Sequence, residues 1–210
     1  MSKEQRIGKR RPRSFECRTP KLGYYIIYTD TKETEENYID GFRKSLPVEF
    51  QEKIEIQILK DKTANLVKRC CEYMRNNPQY RSAWLIFDKD QVSHFDEIIE
   101  EANSKNIQVA WSNPCIEIWF SGYLGKISCI DSTTCCRNFS VLYKQKTGKE
   151  YDKGEKEIYQ ILNKTGNEQK AIKYFKQKYE NANKDKLSPG EQLRGSYMFA
   201  LIEEIRNMLK

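Results

Sequence analysis

Ala83-Trp84-Leu85-Ile86-Phe87-Asp88-Lys89-Asp90 is the stretch that decides the fold. Aromatic and branched residues run unbroken into polar ones, the pattern of a buried strand that ends at the surface. In a parallel sheet, ligands gather outside the carboxyl ends of the strands, so these carboxylates would stand at an open crevice. Side chains alternate along an extended segment, which points Asp88 and Asp90 the same way. Two carboxylates so placed can hold a hard cation, Mg²⁺ or Mn²⁺, together with waters and phosphate oxygens. A strand followed by a polar loop of no special chemistry has the same spacing, and spacing alone leaves both readings open.

Upstream, Tyr24-Tyr25-Ile26-Ile27-Tyr28 reads as another buried strand, with Asp30 to Glu36 as its acidic exit. A helix follows with Tyr38, Ile39, Phe42 and Leu46 on one face and Pro47 beyond its end. Ile54, Ile56 and Ile58 alternate with Glu55 and Gln57, as in a half-exposed strand near an edge. From Thr63 a helix carries Leu66, Val67, Cys70, Cys71 and Met74 and stops before Pro78. Downstream, Phe95, Ile98, Ile99 and Ala102 mark a third helix and Ile107 to Trp111 a fourth strand. Ser112-Asn113-Pro114 then ends that strand and opens a helix, with Pro114 near its first position.

Strands alternating with helices predict an α/β fold, a central mainly parallel sheet flanked by helices, over residues 23–124. Asp30, Asp88 and Asp90 would share one edge of that sheet. Beyond Gly125 the chain turns Lys- and Tyr-rich, with helical spacing in Ile158-Tyr159-Ile161-Leu162, in Ala171-Ile172-Phe175 and in Tyr197-Met198-Leu201-Ile202-Ile205-Leu209, which predicts a Lys-rich helical C-terminal region over 125–210, an appendage to the sheet. Ser188-Pro189-Gly190 separates its last helix.

The net charge of +7 is unevenly placed. Residues 1–23 hold eight Lys or Arg against two Glu, and residues 141–186 twelve Lys against seven acids, so a net acidic centre is flanked by basic segments. Residues 1–22, with Arg10, Arg11 and Arg13, are too charged and too poor in aliphatics to fold alone and read as a basic flexible arm. Such an arm serves either to hold a polyanion or only to solubilise. No apolar stretch reaches membrane-spanning length, and Met1 to Arg6 lacks the centre of a signal peptide, so a soluble, cytoplasmic protein is expected. The seven cysteines show no metal-ligand spacing and read as reduced thiols. His94 is the only histidine, which argues against paired-histidine and HNH nuclease chemistry, and no GxSxG supports a serine triad.

Three acidic exits line up along this edge: Asp30 with Glu33 and Glu35, then Asp88 with Asp90, then Glu117. At these residues the chain resembles the RloB-like proteins of the Toprim superfamily, which are related to the OLD-type nucleases. The family's Glu-Gly-x-x-Thr-Glu-x-x-Tyr is met by Asp30-Thr31-Lys32-Glu33-Thr34-Glu35-Glu36-Asn37-Tyr38, and its Phe-Asp-x-Asp by Phe87-Asp88-Lys89-Asp90. Its Ser-Asn-Pro-Cys-x-Glu-x-Trp is met by residues 112–119, and a Tyr-x-Lys-Gly-like segment by Tyr151-Asp152-Lys153-Gly154. Two departures stand out. Asp30-Thr31 replaces the usual Glu-Gly, and Tyr123 stands where a His is common.

The resemblance implies a Toprim-like fold and Mg²⁺- or Mn²⁺-dependent cleavage of phosphodiesters in RNA, tRNA included, or DNA. It implies metal ligation by Asp88, Asp90 and Asp30, and catalytic work by Asp30, Glu35 and Lys153. It also implies nucleic-acid contacts by Lys89, Asn113, Glu117 and the arginines of the arm. An ABC- or AAA-type ATPase encoded nearby would be the partner in anti-phage defence, and oligomeric state is left open. Read without the family, Asp30 and Glu33 also suit a helix cap and Glu117 a buried salt bridge. The alternative function is a non-catalytic module with a degenerate site that binds nucleic acid or the ATPase.

Overall fold

All four expected strands are present in the computed structural model, which describes residues 24–29, 33–58, 63–90 and 92–209. In chain order the elements are β1 (Tyr25–Thr29), α1 (Thr34–Lys44), α2 (Val48–Gln51), β2 (Ile54–Ile58), α3 (Leu66–Asn76), β3 (Ser82–Asp88), α4 (Phe95–Ser104) and β4 (Ile107–Ser112). Then follow α5 (Glu117–Leu124), α6 (Ser132–Thr147), α7 (Ile158–Thr165), α8 (Glu168–Lys184) and α9 (Met198–Asn207). Asp30 and the arm with Arg10, Arg11 and Arg13 lie outside the described residues. No helix among the described residues is long and apolar enough to cross a membrane.

The sheet order is β2-β1-β3-β4 with every neighbouring pair parallel, as the α/β, Toprim-like expectation requires. From β1 the chain moves outward to β2, then returns past β1 to β3 and on to β4. The strand order therefore reverses between β1 and β3, and their carboxyl ends flank the crevice where open α/β sheets bind ligands. Central β1 is buried along its whole length, whereas β2 is largely half-buried, as its alternating sequence foretold for an edge. The other edge is covered: Tyr197 N–H donates to the Trp111 carbonyl (2.8 Å) and Asn113 N–H to that of Gly195 (2.9 Å). The segment before α9 thus satisfies backbone groups that would otherwise offer a template for aggregation.

Alternation divides the core between two faces. Ile26, Tyr28, Leu85 and Phe87 pack under α3 and α4, while Tyr25, Ile27, Trp84 and Ile86 pack under α1, α5 and the later helices. Phe139, Leu162, Phe175 and Ile202, one from each of α6 to α9, belong to this second core. The helices after residue 125 therefore close one side of the sheet and do not enclose a core of their own. Asp88 continues the parity of Trp84 and Ile86, so its carboxylate emerges on the face roofed by α1 and α5. Here α5 begins at Glu117, three residues later than Pro114 suggests.

Candidate acidic active site

Asp88 is the last residue of β3. Its Oδ2 accepts a hydrogen bond from the Ile116 N–H (3.0 Å), while its Oδ1 is buried without a partner. Burial, then the carboxylates of Glu35 and Glu117, hold the Asp88 carboxyl well above its usual range. The Ile116 N–H works against them, and Asp90 adds a smaller push. A buried carboxylate facing like charges is costly until a proton or a cation joins it. Backbone bonds fix the strand exit: Lys89 N–H donates to the Ser112 carbonyl (2.9 Å) and Asp90 N–H to that of Pro114 (3.1 Å).

The other acids arrive on helix starts. Glu35 lies in the first turn of α1 and Glu117 opens α5, where helix dipoles favour negative charge, and both are buried. Tyr151 Oη donates to Glu117 Oε1 (3.1 Å), and Lys153 Nζ stands 3.7 Å from the same oxygen. Burial, the largest influence, would lower the Lys153 pKa, but Glu117 together with Cys136 and Cys115 outweighs it and the net shift is upward, so the ammonium stays charged. The loop that carries this pair is tied to α1: Thr34 Oγ1 donates to the Lys153 carbonyl (3.1 Å) and Asn37 Nδ2 to that of Gly154 (3.2 Å). Residues up to 119 positions apart thus meet over the end of β3.

Of the residues singled out in the sequence, Asp88, Glu35, Glu117 and Lys153 are brought together, and Asp90 lies nearby. Glu117 is 1 % exposed, so it belongs to this acidic cluster beneath Tyr151 and Lys153. Lys89 and Asn113 go elsewhere. Lys89 Nζ (2.5 Å) and Asn113 Nδ2 (3.0 Å) both donate to the Gly190 carbonyl, so their donors brace the Pro189–Gly190 turn. Asp30, Arg10, Arg11 and Arg13 fall outside the described residues.

Two features escaped the sequence reading. Cys115 Sγ lies 3.9 Å from Cys136 Sγ. With Glu117 these thiols form the one trio of Cys, His or carboxylate ligand atoms within 4.8 Å of one another among the described residues. A spacing of 21 residues matches no ligand motif, so only the fold could show it. Contacts with Cys135 and Cys136, then burial, push the Cys115 thiol far up and keep it protonated, and the Lys153 ammonium already answers the Glu117 charge. It follows that Asp88, Asp90 and Glu35 do not converge so tightly. As placed, the three cannot all ligate one ion directly; Mg²⁺ keeps several waters and takes one or two carboxylates, so direct ligation falls to Asp88 and at most one neighbour. The donors are hard oxygens and Asp88 Oδ1 is unpartnered, so the residues present fit such an ion.

The second is the network in which Tyr123 sits. The Tyr123 Oη lies 2.7 Å from that of Tyr38 and 3.4 Å from Glu168 Oε2, at the opposite end of α5 from Glu117. Tyr123 thus serves an interior network with Tyr38 and Glu168, apart from the hydrogen bonds of the acidic centre.

Residues 25–205 match a family model described as RloB-like protein. The match spans the whole sheet and the helices of both expected regions. No curated protein and no solved structure matches the chain.

Proposed function

The chain belongs to the RloB-like family, and from that membership and the acidic centre we propose that it is a metal-dependent nuclease acting on RNA or DNA. The observation that carries the reading is Asp88: a buried carboxylate with one oxygen unpartnered, facing Glu35 and Glu117 at the topological switch point of a parallel sheet. Asp88 with Asp90 or Glu35 would hold Mg²⁺ or Mn²⁺ directly and the remaining carboxylate through a water, with Asp30 as a further ligand or general base. Such an ion supplies polarisation of the scissile phosphate and a bound water of lowered pKa.

The chain's own groups do the rest. The Ile116 N–H orients Asp88 through Oδ2, which leaves Oδ1 for the cation. Glu117, held by Tyr151, fixes the Lys153 ammonium at the mouth of the site, where it can meet a phosphate oxygen and stabilise charge that develops on it. Role as a defence effector with an ATPase partner rests on the family resemblance.

The test is incubation of the purified protein with mixed RNA and DNA in Mg²⁺, in Mn²⁺ and in excess chelator. Cleavage in either metal that stops with the chelator is expected. Intact substrates throughout, with and without a neighbouring ATPase, would favour the non-catalytic module. Lys153→Met should lower kcat/KM for cleavage about 100-fold, the scale for loss of one preorganised charge-stabilising donor. A change below threefold would remove Lys153 from the site.

A further inference from the structure

On the far half of α5 lies a cavity of about 170 Å³ whose walls include Gly122, Gly125, Lys126, Lys170, Tyr174 and Arg194. Its charge is one-sided. Among the described residues no carboxylate pairs with Lys126, Lys170, Arg194 or the neighbouring Lys178. Burial and then the charges of Arg194 and Lys126 press the Lys178 ammonium below its usual pKa, a sign of crowded, uncompensated positive charge.

Arg194 is the decisive residue. Its Nε is buried and has no hydrogen-bond partner. Its backbone stands at φ 61°, a left-handed conformation unusual for a residue other than glycine. Lone surface lysines need no explanation, but a buried guanidinium donor with nothing to donate to costs stability unless something binds there. Backbone strain of this kind is commonly stored at functional sites.

We infer that this cavity binds a phosphate group together with the sugar that carries it. A planar fork of donors flanked by two ammonium groups suits phosphate oxygens. The Tyr174 ring, with Lys126 Nζ 5.1 Å from its centroid, and Ile118 supply an apolar wall for the rest of the ligand. The volume is below the 300 Å³ or so of sites for larger ligands, so it takes one phosphate and its sugar rather than a dinucleotide. The source is either a free nucleotide or the end of a nucleic-acid strand. The inference does not depend on the acidic centre.

Calorimetric titration in chelator, where no metal-dependent step can run, tests it. The probes are inorganic phosphate, nucleoside 5′- and 3′-monophosphates, the matching nucleosides, and one oligonucleotide with a 5′-phosphate or a 5′-hydroxyl. Phosphate-bearing probes should bind and nucleosides should not. Arg194→Gly keeps the left-handed backbone but removes the guanidinium, and it should weaken binding at least tenfold, as should Lys126→Gln with Lys170→Gln. Preference for the 5′-phosphorylated strand over the mononucleotides identifies a strand end, and equal affinity identifies a free nucleotide; either result supports the site. Equal binding of nucleosides and nucleotides, no binding of any phosphate-bearing probe, or unaltered affinity in both folded variants overturns it.

Discussion

Asp88→Asn should lower cleavage by at least about a thousandfold, the scale for removal of a principal charge-stabilising group. The same change should make the metal-free protein more stable. In the native state burial and the carboxylates of Glu35 and Glu117 hold the Asp88 carboxyl well above its ordinary value. Above the unfolded pKa of about 3.9 the unfolded chain releases a proton that the folded one retains, so stability falls as pH rises from there toward the folded pKa. Asn keeps an acceptor for the Ile116 N–H and carries no charge. Its stability curve should therefore be flatter above about pH 4, and at neutral pH a gain of about 1 kcal/mol would raise Tm by roughly 2–4 °C.

Divalent metal reverses the comparison. Ligand binding to the native state alone stabilises by about 2.7 kcal/mol at a hundred times Kd, so Mg²⁺ or Mn²⁺ should raise the wild-type Tm and leave that of Asp88→Asn unmoved. Thermal melts across pH and metal concentration, paired with a cleavage assay, check both halves. Wild-type cleavage by the variant would end the metal mechanism. A variant destabilised at neutral pH without metal would show that the acidic crowding at Asp88 is relieved by some other means.

The physical reason that this centre was half legible lies in which residues are placed by local pattern. Apolar runs located β1, β3 and β4 and alternation located β2, and alternation along β3 put Asp88 on the face that α1 and α5 cover. Glu35 and Glu117 were readable as residues near strand ends, because each opens the helix that follows. Their mutual approach was not, since it depends on how α1 and α5 lean over the sheet. Lys89 and Asn113 illustrate the limit: both sit in the right motifs, yet their side chains point to the Pro189–Gly190 turn, a partner more than 70 residues away that no local period encodes. Apolar spacing after Gly125 gave helices but did not show that they would roof the sheet. Their apolar faces needed a partner, and the exposed side of β1 and β3 is where one was available. Unpaired basic residues around Arg194 were invisible for the same reason, because Lys126, Lys170 and Arg194 come from three separate segments.

The largest stability effect is expected at Glu168, which ties the roof together. Glu168 Oε2 accepts from Tyr159 Oη (2.9 Å) and Tyr123 Oη (3.4 Å), and Arg206 Nε donates to Oε1 (3.1 Å). Arg206 also donates to Tyr159 Oη (2.8 Å), and Tyr123 meets Tyr38. One carboxylate therefore joins α5, α7, α8 and α9, and through Tyr123 reaches α1. Removing one partner of a buried pair costs about 3–5 kcal/mol, because the groups left behind stay desolvated and unpaired. Arg206 keeps 30 % of its side chain exposed, which softens the loss and points to the lower end, about 3 kcal/mol for Glu168→Ala. At roughly 2–4 °C per kcal/mol that is a fall in Tm of about 6–12 °C. Glu168→Gln, which keeps the acceptor for Tyr159 but not the charge, should fall between. Glu150→Ala, which breaks the exposed pair with Lys144, should cost less than about 1 kcal/mol. Urea unfolding of the three variants decides it. A Glu168→Ala loss no larger than that of Glu150→Ala would mean that the helical roof is held by its apolar core alone, and that the network only fills space between α5 and α8.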